Sequence, residues 1–312
     1  MIIDMHSHAY PAKYLAMLPA ASQVDCRGIG FLPFSYEEYI GHLDAYGIDI
    51  GVLSNPAGGI EVGFNRGQAL KLAMASNDAY ADYCRRDPNR LKWLARIPLV
   101  HLDDALNELR RCFEELGAHG VMLPTNVGGE KSLDDPEYRP FWAEAARCDL
   151  PVLLHPCNAP CHSRWHKYSL LQKINWPADS TLALSRLVLS GIFDRHRSLK
   201  LIGAHLGGML LMYLDRLNWR EGNPECSGTP EDHFKKIYFD IAGPVRAAAI
   251  RFVCDTVGTD HVLFGGDYPH GREGRYDQFY PMTFKAMEEL DLSLEDKENI
   301  FSGTALRTFR FK

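Results

Sequence analysis

The stretch Met1-Ile2-Ile3-Asp4-Met5-His6-Ser7-His8 opens the chain with a short apolar run that ends in two histidines one residue apart. Such a run reads as a strand entered directly from the N-terminus. Alternate side chains of a strand face the same way, so His6 and His8 project together from its C-terminal end, and Asp4 shares their face as a packing or supporting group. Two imidazoles held side by side are half of a first-row metal site. Alone, H-x-H is a short pattern with little specificity. Three later segments repeat its logic: Leu153-Leu154-His155-Pro156, Ile202-Gly203-Ala204-His205-Leu206-Gly207-Gly208 and Leu263-Phe264-Gly265-Gly266-Asp267-Tyr268-Pro269. Each is a buried-strand pattern that ends in a metal-type ligand and breaks into loop residues.

Between these segments, apolar strand-like runs alternate with amphipathic helical stretches along the whole chain. Further strands are expected at Ile50–Asn55, Leu91–Pro98, His119–Pro124, Pro151–His155, Leu199–His205, Lys236–Ala242 and His261–Asp267. Helices are expected around Gln68–Arg86, Asp103–Leu116, Glu137–Cys148, Thr181–Phe193, Met209–Trp219, Val245–Val257, Gln278–Leu290 and Leu294–Thr308. Strands alternating with helices imply parallel pairing, and eight such units in this length fit a closed (β/α)8 TIM barrel. A doubly wound open sheet would want a glycine-rich phosphate turn after the first strand, and His8-Ala9-Tyr10-Pro11 is not one. Long rim loops are expected after strand one, from Ala9 to about Gly47, and after strand five, from Pro156 to about Ser180. The second holds Arg164, Trp165, His166, Lys167, Tyr168 and Trp176, residues suited to a substrate wall, with Trp165 a candidate for substrate contact.

The totals narrow the field. A chain of 312 residues with no break in composition reads as a single domain, 1–312. The net charge of −6 and the lack of a dense basic run argue against nucleic acid and anionic membrane as partners. No apolar stretch approaches the roughly 20 residues of a membrane helix, and no charged segment followed by an apolar one suggests a cleaved leader. The eight cysteines contain no C-x-x-C pair, which suits free thiols in a reducing, cytoplasmic compartment. Cys157 and Cys161 lie near His155 and His162, but the spacing is not that of a zinc knuckle, and they read as ordinary loop cysteines.

In a barrel the C-terminal ends of all strands ring one mouth, where enzymes of this fold carry out their chemistry. His6 and His8 from strand one, His155 from five, His205 from six and Asp267 from eight therefore converge. This pattern resembles the amidohydrolase superfamily. The stretches Gly203–Gly208 and Gly266–Pro269, with Lys167-Tyr168 and Pro177-Ala178, resemble the branch typified by 2-amino-3-carboxymuconate-6-semialdehyde decarboxylase. The resemblance implies a metal-dependent nonoxidative decarboxylase of a small aromatic or unsaturated carboxylic acid. A metal-dependent hydrolase of an amide, ester or lactone is the alternative, and a catalytically dead scaffold a third reading.

The same resemblance implies that His6, His8, His155 and Asp267 bind one divalent metal, Zn2+ with Mn2+ as the alternative. It sets His205 against the water on that metal, and Asp267 and His205 become the catalytic proton carriers. Strand four, Gly120–Pro124, lacks the lysine that bridges two metals in some relatives, so one metal is expected. Ser169 stands where the typifying decarboxylase has tryptophan, so the substrate wall differs. The resemblance further implies a homodimer in which an arginine grips the substrate carboxylate. Arg216 and Arg220, one turn apart on the helix after strand six, and Arg27 from the first loop are the candidates. His270, close behind Asp267, is a further candidate for substrate contact.

Overall fold

The computed structural model describes residues 1–23, 30–56, 64–156, 165, 167–219, 224–270 and 279–311. Eight strands lie side by side in chain order: β1 (Ile3–His8), β2 (Ile50–Ser54), β3 (Leu91–Arg96), β4 (Gly120–Pro124), β5 (Val152–His155), β6 (Leu201–Gly203), β7 (Tyr238–Asp240) and β8 (Val262–Leu263). Neighbours pair in parallel. The sheet closes where the chain beyond β8 runs beside β1. Met5 N–H donates to Phe264 O at 2.9 Å and Asp267 N–H donates to His6 O at 2.8 Å. A parallel bridge joins Ser7 to Tyr268. The expected (β/α)8 barrel is the architecture found.

Inside the barrel, Ile3, Met5, Val52, Leu94, Met122, Leu153, Ile202 and Leu263 form an aliphatic plug, capped at one end by Phe309. These positions alternate with residues that pack outward on the helices, as a strand's two-residue period requires.

The first strand departs from that period. Asp4 is opposite Gly51 and Ser7 is opposite Leu53, so Met5 and His6 together face the single residue Val52. This is a β-bulge. It lets Ile3 and Met5 point into the barrel and then turns His6 and His8 inward as well. The expectation that Asp4 shares their face is therefore corrected. Asp4 points out to the helix layer, where Tyr280 donates to its carboxylate.

The helices run α1 (Ala12–Met17), α2 (Tyr36–Ala45), α3 (Arg66–Arg86), α4 (Leu102–Arg110), α5 (Arg139–Arg147), α6 (Trp176–Leu189), α7 (Ile192–Arg195), α8 (Leu214–Leu217), α9 (Pro230–Phe234), α10 (Ala247–Val257), α11 (Phe279–Glu289), α12 (Leu294–Glu298) and α13 (Thr304–Thr308). Three differ from expectation for local reasons. The segment taken as a long loop after strand one contains α2, capped by the Ser35 hydroxyl, which accepts from Glu38 N–H at 3.3 Å. The loop after strand five ends earlier than expected, because Pro177 sits in the first turn of α6, where a missing N–H costs nothing. The helix expected over Met209–Trp219 is a tight turn at Leu210–Tyr213 followed by α8, which stops at Leu217. Asn218 ends it by bonding Glu231 with both ends of its amide, at 2.8 and 2.9 Å. Arg216 is on α8, and the expected placement of Arg220 lies outside the described residues. No helix among the described residues is long and apolar enough to cross a membrane.

Candidate metal centre

Four strands deliver side chains to one point at the barrel mouth, each by its own backbone device. β1 uses the bulge. β5 uses plain alternation, with Leu153 in the barrel interior and His155 one pleat above it. After β6 and β8 the chain turns left-handed, with φ of 53° at His205 and 66° at Asp267. Non-glycine residues seldom adopt that conformation, and it recurs at functional sites.

The result is a close cluster. Ring centroids are 4.8 Å apart for His6 and His8, 5.0 Å for His6 and His155, and 4.7 Å for His6 and His205. The ligand atoms of His6, His155, His205 and Asp267 lie within 4.8 Å of one another, and so do those of His8, Asp267 and His270. His6, His8, His155 and Asp267 are all buried.

Hydrogen bonds assign the tautomers. His6 donates from Nδ1 to Asp240 Oδ2 at 2.9 Å. His8 Nδ1 is 3.1 Å from Ser54 Oγ, whose own proton goes to the Ser7 carbonyl, so His8 is the donor there. Both Nε2 atoms then carry bare lone pairs. They face each other at 3.1 Å, and Asp267 Oδ1 is 3.5 Å from one and 3.1 Å from the other. Three electron-rich atoms converge with no proton of their own between them. Both ring nitrogens of His155 and Oδ1 of Asp267 are buried without a hydrogen-bond partner among the described residues. Buried polar atoms are normally paired, and a single cation could satisfy this set together. The donor set fits a first-row divalent metal.

Those lone pairs are bare only while the rings are neutral; without a cation the cluster draws a proton onto His6 instead. Burial works against charge on His6, but Asp240, by charge and hydrogen bond, and Asp267 hold its imidazole up to about 9. Burial depresses His8 to about 3 and takes His155 well below the usual histidine range. Burial alone would raise Asp267; His270, His8, His6 and His205 outweigh it and hold the carboxyl well below the usual carboxylate range. The carboxylates gather positive charge at the very spot where the imidazole lone pairs meet.

His205 sits one step back. Its Nδ1 donates to Ala242 O at 3.1 Å, which turns Nε2 toward the cluster. His270 approaches His8 with centroids 5.7 Å apart. Trp165 is half-buried in the segment after β5. Arg216 is exposed on α8, and Arg27 lies outside the described residues. Three functional positions were missed in the sequence. Asp240 ends β7 and carries the His6 ring; its signal was the same strand-end placement that marked the candidate ligands. Ser54 ends β2 and fixes His8. Gly243, at φ 86°, leaves open space where a Cβ would stand 3.5 Å from His205 Nδ1 and 3.7 Å from Asp267 Oδ2.

The amidohydrolase family profile matches residues 3–311. Gamma-resorcylate decarboxylase of Rhizobium radiobacter is 30% identical over 268 residues, which is 77% of this chain and 82% of that one. 2-amino-3-carboxymuconate-6-semialdehyde decarboxylase of Dictyostelium discoideum is 28% identical over 249 residues, 76% of this chain and 66% of its own. A solved dihydroxybenzoic acid decarboxylase from Polaromonas sp. JS666, with bound manganese and the inhibitor 2-nitroresorcinol, superposes with a TM-score of 0.83 at 23% identity, over 99% of this chain and 96% of that one. This last likeness speaks for the fold. The chain belongs to the amidohydrolase family.

Proposed function

We propose that this member of the amidohydrolase family is a metal-dependent nonoxidative decarboxylase, a carbon–carbon lyase, of a small aromatic or unsaturated carboxylic acid. One observation carries the reading: the relative that matches at 30% identity over most of both chains is a decarboxylase of a hydroxylated aromatic acid. The hydrolase alternative finds no support among the relatives named above. His6, His8, His155 and Asp267 are the proposed ligands of a single divalent ion. Three imidazoles favour Zn2+, while the manganese in the Polaromonas enzyme keeps Mn2+ as the alternative.

When bound, the ion supplies a Lewis acid that balances the ligand cluster and draws the oxygens of an acidic substrate toward it. The chain's own residues do the rest. The bond from the carboxyl carbon to the ring or vinyl carbon breaks, its electron pair stays on that carbon, and a proton joins it there as CO2 leaves. His205 is the proposed proton carrier: Ala242 O holds its Nδ1–H, so its Nε2 first takes up a proton from the substrate's acid or hydroxyl group or from solvent and then passes it to that carbon. Asp267 is its proposed partner in moving that proton. His270 and Trp165 are proposed to border the substrate.

The finer features follow the same reading. Arg216 is proposed to meet the substrate carboxylate across a homodimer contact. It stands among Met212, Tyr213 and Trp219, which are 71%, 45% and 64% exposed and suit cover by a second copy. Arg27 and Arg220 are the alternatives for that grip. The buried thiols of Cys84, Cys112, Cys148 and Cys254, in no disulfide among the described residues, suit the cytoplasm. The deciding experiment is CO2 release from a panel of hydroxybenzoic and muconate-like acids, with ester and lactone hydrolysis measured in parallel. Hydrolysis without CO2 release defeats the proposal. Metal analysis accompanies it: one equivalent per chain is expected, and two equivalents, or full activity after chelation, overturn the single-ion site.

A further inference from the structure

Asp240 is the last residue of β7 and is 1% exposed. Its two carboxylate oxygens serve different parts of the site. Oδ2 accepts from the His6 ring at Nδ1, at 2.9 Å. Oδ1 accepts from the backbone N–H of His205 at 2.8 Å and of Ala242 at 3.1 Å. The carbonyl of Ala242 in turn receives the His205 ring proton at 3.1 Å. One carboxylate thus holds a ring on β1, the left-handed turn after β6, and the acceptor that orients the ring carried by that turn.

We propose that Asp240 is the positioning residue of this site, fixing His6 in the tautomer that leaves Nε2 free for a metal and, through its other oxygen, setting the pose of His205. The proposal rests on the reading of His6 as a metal ligand. A carboxylate can do both jobs because it has acceptors on both oxygens and no proton to offer. A merely structural residue would need only the right shape.

Asparagine separates the two cases, since it keeps the shape and loses the symmetry of the acceptors. If the oxygen of the substituted amide faces the two backbone N–H groups, its NH2 points at His6 Nδ1. The ring must then accept there and carry its proton on Nε2, which blocks ligation. If the amide turns the other way, His6 keeps its tautomer, but an NH2 is pressed against two N–H donors and the His205 turn loses its anchor. Neither orientation preserves both halves of the site.

The test measures metal binding with no substrate present, by competition with a chelating dye, for the parent and Asp240→Asn proteins. The expected result is a 10- to 100-fold weaker metal affinity, on the order found for groups that orient metal ligands, with far-UV circular dichroism and unfolding cooperativity kept. kcat falls with little change in KM. A metal affinity within about twofold of the parent overturns the proposal. Should Asp240→Asn fail to fold, nitrogen-15 spectra of the histidines in the unmodified, zinc-loaded protein decide instead. A proton on Nδ1 of His6 is expected, and one on Nε2 overturns the proposal. Both measurements stand apart from the reaction: absence of CO2 release in the parent defeats the functional reading and leaves them to decide this one.

Discussion

Replacing Asp4 by alanine should both loosen the fold and empty the metal site. Its buried carboxylate accepts from His6 N–H and Gly266 N–H at 3.0 Å each, from Ser7 Oγ at 2.7 Å, and from the Tyr280 hydroxyl at 2.5 Å. The first bond spans the bulge that turns His6 and His8 inward, and the second fixes the residue before Asp267. Alanine strands all of these donors in a site with no access to water, since Asp4 is 0% exposed. The hydroxyls can swing toward other acceptors; the two backbone N–H groups cannot. An unpaired buried donor costs about 1–3 kcal/mol, so the amides alone cost about 2–6 kcal/mol, a large part of a typical total of roughly 5–15 kcal/mol. With the bulge unsupported, regular alternation would keep Ile3 and Met5 inside and send His6 and His8 to the outer face. Asp4→Asn should be far milder. Its oxygen still serves the two amides, and Ser7 and Tyr280 can reverse to accept from its NH2, so a loss under about 1.5 kcal/mol is expected. The assay is urea unfolding of the three proteins, with metal per chain measured on each. An Asp4→Ala protein within about 1 kcal/mol of the parent, or one that still carries its full metal, would refute the idea that this carboxylate holds the bulge.

Other outcomes follow from the same geometry. His205→Ala should keep the metal and lose about 10²- to 10⁴-fold in turnover, the usual contribution of a general acid; loss of metal from that variant would make His205 a ligand. Gly265→Ala should weaken metal binding, because the new Cβ would lie 2.8 Å from His6 Cβ and push the ring off its lone-pair contacts; unchanged affinity would mean that the chain after β8 yields instead. His119, just before β4, is held down to about 4 by burial and by Lys92, below the ordinary 6.5. The folded state therefore binds fewer protons than the unfolded state between those values, and the stabilising contribution present above pH 6.5 is lost as pH falls toward 4, by at most about 3 kcal/mol. His119→Leu should flatten that part of the stability–pH curve; a parallel curve for the variant would show that another group controls it.

Much of the site was legible because its residue types stand out at strand ends. His6, His8, His155, His205 and Asp267 could be placed at one mouth as soon as the strand–helix alternation was read as a barrel. What was not legible was how each strand turns its residue inward. The bulge in β1 depends on Asp4 bonding across to Gly266, a contact 262 positions away in the chain. No local pattern in Ile3–His8 announces it, and plain alternation put Asp4 on the wrong face. Asp240 was missed for a related reason: a single acidic residue after Tyr238-Phe239 looks like any strand end until the His6 ring is placed against it. Helix α2 is a different kind of miss. Its signal was local, a serine three residues ahead of Glu38 with Tyr39 and Leu43 on one face, and it was overlooked inside a stretch read as loop.

The left-handed turns at His205 and Asp267 show why the proposed ligand set and its supports form one unit. Each strained conformation costs about 1–3 kcal/mol unless something holds it. The holder of Asp267 is the carbonyl of His6, which accepts its N–H at 2.8 Å. The holder of His205 is Asp240, which also grips the His6 ring. His6 thus meets both turns, one through its backbone and one through its side chain. A regular strand at either place would send the next side chain along the barrel wall rather than back over its axis, so the strain is what brings the two residues to the cluster. Any change that moves His6 should therefore disturb the geometry of His205 and Asp267 together, and double substitutions among these positions should be strongly non-additive.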